Sequence, residues 1–197
     1  HVCHVSTRKS VELIRDAKNR GVKVTCEVTP HHLTLTVDDV PALGSNGKMN
    51  PPLGESDDRE ALIAGLCDGT IDCIASDHAP HNVMDKGVGL ENAPYGVIGL
   101  ETSFPVCYSR LVLKNRISLG RLIDAFCHRA RAIYGLERIG LFEGSRADLT
   151  LIEPNEEWLI NTDDFKSKGR NCPFAGWEVR GRIIFTIYKG ILNPISY

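Results

Sequence analysis

Three side chains that could bind a metal or move a proton, Asp77, His78 and His81, stand within five residues of one another. The apolar run at residues 71–75 precedes them directly and predicts a buried strand. In α/β barrels, the residues that follow the strands carry the chemistry. Because burying a carboxylate costs free energy unless a metal or a hydrogen-bonding partner compensates, the cluster predicts a metal or catalytic site. The alternative is a polar turn ordered by Pro80.

A second candidate, His4, lies at the carboxyl end of a strand predicted at the start of the chain. Because side chains alternate along a strand, we expect Val2 and His4 to share one face. His1 and Cys3 would share the other face, so Cys3 and His4 should not bind one metal as neighbours. If both strands belong to one barrel, an inward His4 would meet Asp77. The alternative is a structural histidine held by hydrogen bonds.

Other polar motifs give weaker signals. His31 and His32 could bind metal, but adjacent side chains diverge, so we expect at least one of them to be structural or to face solvent. Residues 44–49 lack the spacer and the Ser or Thr of a phosphate loop, and residues 87–92 lack the third glycine of a dinucleotide-binding turn. The G-x-S-x-G motif of serine hydrolases is not present in the sequence.

Predicted strands alternate with helices in the first part of the chain. The predicted order is a strand at 1–5, a helix capped by Ser6 or Thr7 and ended by Gly21, a strand at 22–28, an irregular loop through Pro51 and Pro52, a helix capped by Ser56 or Asp57 and ended by Gly69, and a strand at 71–76. We expect the loop to be too rich in Pro and Gly for regular structure. Apolar strands that alternate with helices favour a parallel sheet covered by helices, as in a doubly wound fold or a β/α barrel.

Two structural parts are expected. The predicted later segments are helices near 97–113 and 119–133 and short strands at 147–152 and 183–188, with a turn at Lys189 and Gly190. We assign 1–138 to the last three strands and helices of a barrel, since three strands cannot close one and a whole barrel usually needs about 250 residues. We assign 139–197 to a segment of a small β domain. The chain opens inside a strand without Met or signal peptide, so we expect it to be a fragment.

Composition narrows the range of partners. Lys and Arg number 23 against 25 Asp and Glu, for a net charge of -2, which gives no sign of a nucleic-acid or anionic-membrane partner. No apolar stretch approaches the ~18 residues of a membrane helix. The seven cysteines are scattered in apolar segments without a C-x-x-C pair, which is typical of reduced thiols in a cytoplasmic protein.

Five motifs stand out along the chain. They are HVST at 4–7, EVTPHHL at 27–33, KMNPPL at 48–53, DCIASDHAPH at 72–81 and ENAPYG at 91–96. In sequence and in order, they resemble the dihydroorotase family of the amidohydrolase superfamily. The resemblance continues through 144–149 and 171–177, so it spans essentially the whole chain and matches the carboxyl-terminal half of the family.

The resemblance implies a zinc-dependent enzyme with α/β architecture, the carboxyl-terminal part of a TIM-like (β/α)8 metallo-dependent hydrolase barrel plus part of a small β-sandwich domain. Its reaction would be the reversible hydrolysis of L-dihydroorotate to N-carbamoyl-L-aspartate in pyrimidine biosynthesis. By the same resemblance, His4 and Asp77 bind metal in a site that holds one or two zinc ions. Asp77 would also exchange a proton with the attacking hydroxide.

The resemblance assigns substrate contacts to Asn50, His81 and the backbone around Tyr95 and Gly96. An amide offers a donor and an acceptor, and an imidazole offers an N–H, to a ring and its carboxylate. The His-x-His pair, the bridging Lys or Asp and the carboxylate-binding Arg of the family would lie outside this chain, so we expect the fragment itself to be inactive. A homo-oligomer or an aspartate transcarbamoylase partner stays open.

Two alternatives to dihydroorotase also stay open. A related cyclic amidase, dihydropyrimidinase or allantoinase, would share the barrel and the His and Asp positions, but residues 29–32 and 48–50 favour dihydroorotase. A non-catalytic dihydroorotase-like subunit could support a transcarbamoylase. Retention of all four candidate side chains, His4, Asp77, Asn50 and His81, argues against that assignment.

Overall fold

The computed structural model describes residues 1–195. The strands are β1 (Glu27–Val28), β2 (Cys73–Ile74), β3 (Leu149–Leu159), β4 (Glu178–Tyr188) and β5 (Ile191–Pro194). The α-helices are α1 (Arg8–Asn19), α2 (Pro30–Thr34), α3 (Val40–Leu43), α4 (Ser56–Asp68), α5 (Val83–Lys86), α6 (Ser103–Cys107), α7 (Leu119–Ile123) and α8 (Arg129–Ile133). Within residues 1–195, no helix has both the length and the apolar character that crossing a membrane requires.

Three parallel extended segments form the centre of the first part. β1 pairs with β2, with Glu27 opposite Cys73. Residues 1–5 run along the other side of β1, where Val2 pairs with Cys26. The α/β character predicted for this part is confirmed, but regular pairing is shorter than predicted. One reason is that the Asp72 side chain, not a neighbouring strand, accepts the N–H of Cys26, at 2.8 Å.

Helices α1 and α4 begin and end within one residue of the predicted positions. Thr7 caps α1 by accepting a hydrogen bond from a first-turn N–H, and Gly21 follows the helix with φ 79°. Helix α4 is capped one residue earlier than predicted, by Glu55, because Asp58 accepts the N–H of Glu55 at 3.1 Å. Gly69 ends this helix in the left-handed conformation.

The predicted irregular loop is wrong for its first half. Residues 30–47 form α2, a 3₁₀ turn at Val37–Asp39, α3 and a second 3₁₀ turn at Gly44–Gly47. Local capping explains these short helices. Thr29 accepts the N–H of His32 at 3.2 Å, and Pro30 occupies the first helical position, where its missing N–H costs nothing.

The second sheet is antiparallel and has the order β3-β4-β5. Strands β3 and β4 are longer than the predicted strands at 147–152 and 183–188, and two register shifts interrupt their pairing. The predicted turn between β4 and β5 is confirmed. Lys189 and Gly190 have φ 50° and 79°, the left-handed pair that matches the twist of a tight hairpin.

Buried side chains form two clusters. The first packs α1 and α4 against the parallel strands, with Val11, Leu66 and Ile71 each at most 1% exposed. The second joins both parts of the chain, since Met49 and Val106 pack in the same cluster as residues 160–179. Residues on both sides of the predicted boundary at 138 therefore share a core, and the division into two domains stays a prediction.

Candidate active site

His4 and Asp77 lie side by side at the carboxyl ends of two parallel segments. His4 Nε2 is 3.4 Å from Asp77 Oδ1, and about a quarter of each side chain is exposed. Both residues have left-handed backbone, with φ 54° for His4 and 47° for Asp77. Side chains other than glycine rarely adopt this conformation, and such residues cluster at functional sites. The predicted meeting of these two side chains is therefore present in the structure.

The expected alternation along residues 1–4 is wrong at His4. His4 Nδ1 lies 2.9 Å from Glu27 Oε1, and His1 Nε2 lies 3.2 Å from Glu27 Oε2, so both imidazoles face one carboxylate. The left-handed φ of His4 breaks the two-residue period of the strand and turns the ring toward this face. Cys3 is also near, because the ligand atoms of His1, Cys3 and Glu27 lie within 4.8 Å of one another.

Burial raises the pKa of the Asp77 carboxyl. The charge of His4 acts in the opposite direction, and the charge of Glu27 raises the pKa further. A carboxyl with a raised pKa accepts and releases a proton closer to neutral pH than an ordinary aspartate does. The site therefore suits a carboxylate that moves a proton.

The other two members of the predicted cluster have separate environments. His78 Nδ1 accepts the N–H of Gly99 at 3.2 Å and faces the N–H of Leu100 at 3.4 Å, so its ring supports the neighbouring backbone. His81 Nε2 donates to the carbonyl of Tyr95 at 2.8 Å. Asp77 is therefore the candidate metal ligand of the cluster, His78 is a structural histidine, and His81 is hydrogen-bonded to residue 95.

A buried asparagine organises the loops around His81. Asn171 accepts the N–H of His81 at 2.9 Å and donates to the carbonyls of Ala79 at 2.9 Å and Gly96 at 3.1 Å. The ammonium of Lys86, a residue only 6% exposed, also donates to the Gly96 carbonyl at 3.1 Å. Neither Asn171 nor Lys86 is among the site residues predicted from the sequence. The motif at 171–177 contains Asn171 but does not reveal its distant partners, and the contacts of Lys86 depend on how the loop at 94–96 folds.

Next to Asn50, the buried His32 holds the backbone in place by a hydrogen bond. His32 Nε2 donates to the carbonyl of Pro51 at 3.0 Å, and its Nδ1 lies 2.7 Å from the hydroxyl of Thr29. Asn50 itself is exposed. His31 and His32 both lie in the first turn of α2, with ring centroids 4.5 Å apart and 2% exposure each, so their side chains do not diverge as expected. The expectation that at least one of them is structural is confirmed for His32.

Burial keeps both of these histidines neutral. It lowers the pKa of His32 to about 4, partly offset by the carbonyls of residues 51 and 52. The pKa of His31 falls well below its usual range, mainly by burial and also by the nearby charges of His32 and His4. Among the described residues, the buried His31 Nε2 has no hydrogen-bonding partner.

The donor set fits a zinc ion. Neutral imidazole nitrogen and carboxylate oxygen are ligands that zinc accepts, and His4 and Asp77 offer both across 3.4 Å. The buried but unpartnered nitrogen of His31 adds polarity to the same area. Two ligands are fewer than the three protein ligands typical of a catalytic zinc site. These residues therefore fit part of a metal centre.

Fold and site together place a histidine and an aspartate at the carboxyl ends of a parallel α/β scaffold. Residues 1–192 match the amidohydrolase family, and the chain belongs to that family. This assignment agrees with the side chains found at the strand ends, a histidine and an aspartate.

Relatives of the chain include dihydroorotases from two Bacillus species. The chain is 53% identical over 190 residues to the dihydroorotases of Bacillus cereus (strain AH820) and Bacillus anthracis (strain CDC 684 / NRRL 3495), covering 96% of this chain and 44% of each relative. The resemblance to dihydroorotases is therefore confirmed.

Solved structures of two further enzymes have the same fold. The L-hydantoinase (dihydropyrimidinase) from Arthrobacter aurescens has a TM-score of 0.91 at 34% identity over 97% of this chain and 44% of its own. The dihydropyrimidinase from Brevibacillus agri NCHU1002 has a TM-score of 0.90 at 26% identity over 97% of this chain and 43% of its own. The chain thus spans less than half the length of the relatives it matches.

Proposed function

We propose that the complete protein carrying this chain is a dihydroorotase. It would reversibly hydrolyse L-dihydroorotate to N-carbamoyl-L-aspartate, a step of pyrimidine biosynthesis. The observation that carries the proposal is the contact of His4 and Asp77 at 3.4 Å, in a chain 53% identical to dihydroorotases. In this proposal, 1–138 is the closing part of a (β/α)8 barrel and 139–197 is part of a small β-sandwich domain.

Asp77 has two tasks in the proposed reaction. With His4 it would hold zinc, one or two ions in the complete site, which would activate water at neutral pH and polarise the ring carbonyl. Asp77 takes the proton from the attacking water. It then delivers that proton to the ring nitrogen as the cyclic amide C–N bond breaks.

Substrate binding is assigned to Asn50, His81 and the backbone at Tyr95 and Gly96. The exposed Asn50 offers a donor and an acceptor to the ring amide, and the hydrogen bond between His32 and the next residue supports its position. We assign the substrate carboxylate to His81, whose Nε2–H donates to the Tyr95 carbonyl at 2.8 Å in this structure and would exchange that acceptor for the carboxylate.

The contribution of Gly96 is one of shape. Its N–H donates to the carbonyl of Lys48 at 2.9 Å, and its carbonyl accepts from Asn171 at 3.1 Å, so both polar groups are engaged. Its φ is 112°, and a Cβ at this position would lie 2.5 Å from the Cβ of Ala79. A glycine therefore lets this loop approach residues 77–81 closely.

A second candidate is a cyclic amidase that acts on a neutral ring. It is kept as a candidate because the L-hydantoinase from Arthrobacter aurescens has the same fold, with a TM-score of 0.91. Hydantoin and dihydrouracil lack the ring carboxylate of dihydroorotate, so a residue that binds the carboxylate should distinguish the two functions.

The test is a comparison of substrates on the complete protein. We expect kcat/KM to be higher for dihydroorotate than for dihydrouracil or hydantoin. In His81→Ala, leaving the carboxylate without its partner should cost about 1–3 kcal/mol, or roughly 5- to 150-fold in kcat/KM, on dihydroorotate and much less on dihydrouracil. His128→Ala, at an exposed histidine, is the matched control.

Three results would contradict this assignment. Equal losses on both substrates would remove the carboxylate role from His81. A parent protein that prefers hydantoin would favour the cyclic amidase, and one that turns over none of the three would favour the non-catalytic subunit. We further propose a cytoplasmic enzyme, supported by the scattered cysteines, that works as a homo-oligomer or beside an aspartate transcarbamoylase.

A further inference from the structure

Glu27 is a buried carboxylate in the parallel sheet, and the reaction steps proposed above do not use it. The residue is only 6% exposed. It lies on β1, between the segment that carries His4 and the strand that leads to Asp77. Because a buried carboxylate is costly unless its surroundings compensate, the groups around Glu27 indicate its role.

Both oxygens of Glu27 face imidazoles. Oε1 lies 2.9 Å from Nδ1 of His4, and Oε2 lies 3.2 Å from Nε2 of His1. The second nitrogen of His1, Nδ1, lies 2.8 Å from the hydroxyl of Thr25. Oε2 of Glu27 is therefore held through His1 to Thr25, which precedes β1, and Oε1 is directed at His4.

The contact with Glu27 determines which nitrogen of His4 is presented outward. His4 Nδ1 is buried and has no aligned hydrogen bond among the described residues, and its close neighbour is Glu27 Oε1 at 2.9 Å. A carboxylate at Nδ1 favours the tautomer with its proton there, which leaves a lone pair on Nε2. This Nε2 lies 3.4 Å from Asp77 Oδ1. Two acceptors that face each other are compatible when a cation lies between them.

We propose that Glu27 is a positioning residue that holds the imidazole of His4 at Nδ1, so that Nε2 is presented to the metal beside Asp77. The inference rests on the proposed function. The main chain supports the same arrangement, because the N–H of Val5 donates to the carbonyl of Glu27 at 2.9 Å. Residues that orient metal-bound histidines in this way typically contribute about 10- to 100-fold to metal affinity.

A competing assignment makes Glu27 a metal ligand itself. The ligand atoms of His1, Cys3 and Glu27 lie within 4.8 Å of one another. The contacts of Glu27 favour positioning, because both of its oxygens already face imidazole nitrogens. The two assignments predict different effects of replacing Glu27. Loss of a positioning residue lowers the affinity for zinc, whereas loss of a metal ligand lowers the number of zinc ions bound at saturation.

The experiment measures zinc affinity of the complete protein by competition with a chelator, together with zinc content at saturation. Glu27→Gln keeps the shape of the side chain and removes its charge. Asp72→Asn is the matched control, because this partly buried carboxylate binds Lys18 at 2.7 Å and the N–H of Cys26 at 2.8 Å. Thermal unfolding of the metal-free proteins separates changes in folding from changes in zinc affinity.

We expect Glu27→Gln to lose about 10-fold in zinc affinity with an unchanged zinc content at saturation. Asp72→Asn should keep the affinity of the parent even where its unfolding temperature falls. Parental affinity in Glu27→Gln, the loss of one zinc ion at saturation, or an equal loss of affinity in Asp72→Asn would each overturn the inference. A parent protein that neither binds zinc nor hydrolyses dihydroorotate would instead overturn the proposed function.

Discussion

The two sheets of this chain differ in length and in burial. Strands β1 and β2 have two residues each, all buried, whereas β3 and β4 have 11 residues each, of which Val179 and Gly181 are the buried ones. The short strands end at the side chains proposed for chemistry, and the long strands carry ion pairs on their surfaces, such as Arg180 with Glu157. Short, fully packed strands thus fix the site, and the exposed sheet adds surface that is available for contacts.

The exposed surface of the second sheet should make the isolated chain associate and lose activity. Apolar side chains of the second sheet, and of the residues that precede β3, are exposed to solvent. Among them are Leu141, Leu151, Ile191 and Leu192, at 48–89% exposure. Such surfaces favour association between chains, and two zinc ligands are too few to retain the metal tightly. We expect the 197-residue chain alone to associate, to retain zinc weakly and to show no dihydroorotase turnover.

Light scattering after size-exclusion chromatography, followed by an activity assay, checks this expectation. Co-expression with the amino-terminal half of a matching dihydroorotase is the control and should restore turnover. A soluble monomer that binds zinc tightly and turns over dihydroorotate on its own would show that the site does not depend on additional chain.

A second prediction concerns how the free energy of unfolding depends on pH, in the region of β1 and β2 and in that of β3 to β5. Residues 149–197 contain no histidine, whereas His31 and His32 are buried in the first region. Because the pKa of His32 is about 4 in the folded protein, the unfolded chain takes up its proton first as the pH falls below about 6.5. The stability contributed by neutral His32 is complete above pH 6.5 and is lost toward pH 4, a change of about 3 kcal/mol.

Urea unfolding of the complete protein at pH 7 and pH 4.5 measures this loss. In His32→Asn, the free energy of unfolding should depend less on pH across this interval than it does in the parent. His128→Asn, at an exposed histidine, should keep the parental dependence. The same pH dependence in His32→Asn and the parent would assign the loss to other groups.

A smaller effect on the free energy of unfolding is expected when either of two arginines is replaced. Arg121 donates to the carbonyls of Leu66 at 2.6 Å and Ile71 at 2.7 Å, whereas Arg180 pairs with Glu157 on the surface. Removing a charged donor from buried carbonyls should cost about 2 kcal/mol, and removing an exposed ion pair less than about 1 kcal/mol. Arg121→Met and Arg180→Met, compared by chemical unfolding of the complete protein, test the difference. Equal losses would mean that the two regions are equally well packed around these residues.

Elements with local signals could be predicted from the sequence. Helices α1 and α4 have capping residues and a terminal glycine, and the hairpin turn has Lys189 and Gly190, so each is specified by adjacent residues. The contact of His4 with Asp77 was also expected, because parallel strands bring their carboxyl ends to one edge.

Features that depend on distant residues could not be predicted. The left-handed φ of His4 and its contact with Glu27 arise only when residues 1–5 pair with β1. In the same way, Asn171 reaches His81 across 90 residues of sequence. Side-chain alternation in an isolated strand gives no information about such contacts, and it assigned His4 to the wrong face.

The turnover of Asp77→Ala in the complete protein tests whether Asp77 holds metal and moves the proton in the proposed hydrolysis. Dihydroorotate hydrolysis is measured at saturating zinc, with Asp85→Ala, an exposed aspartate in α5, as the control. Because Asp77 is proposed both to hold metal and to move the proton, kcat should fall by at least about 100-fold, whereas the control should stay near the parent. Near-normal kcat in Asp77→Ala would show that Asp77 has neither of these roles.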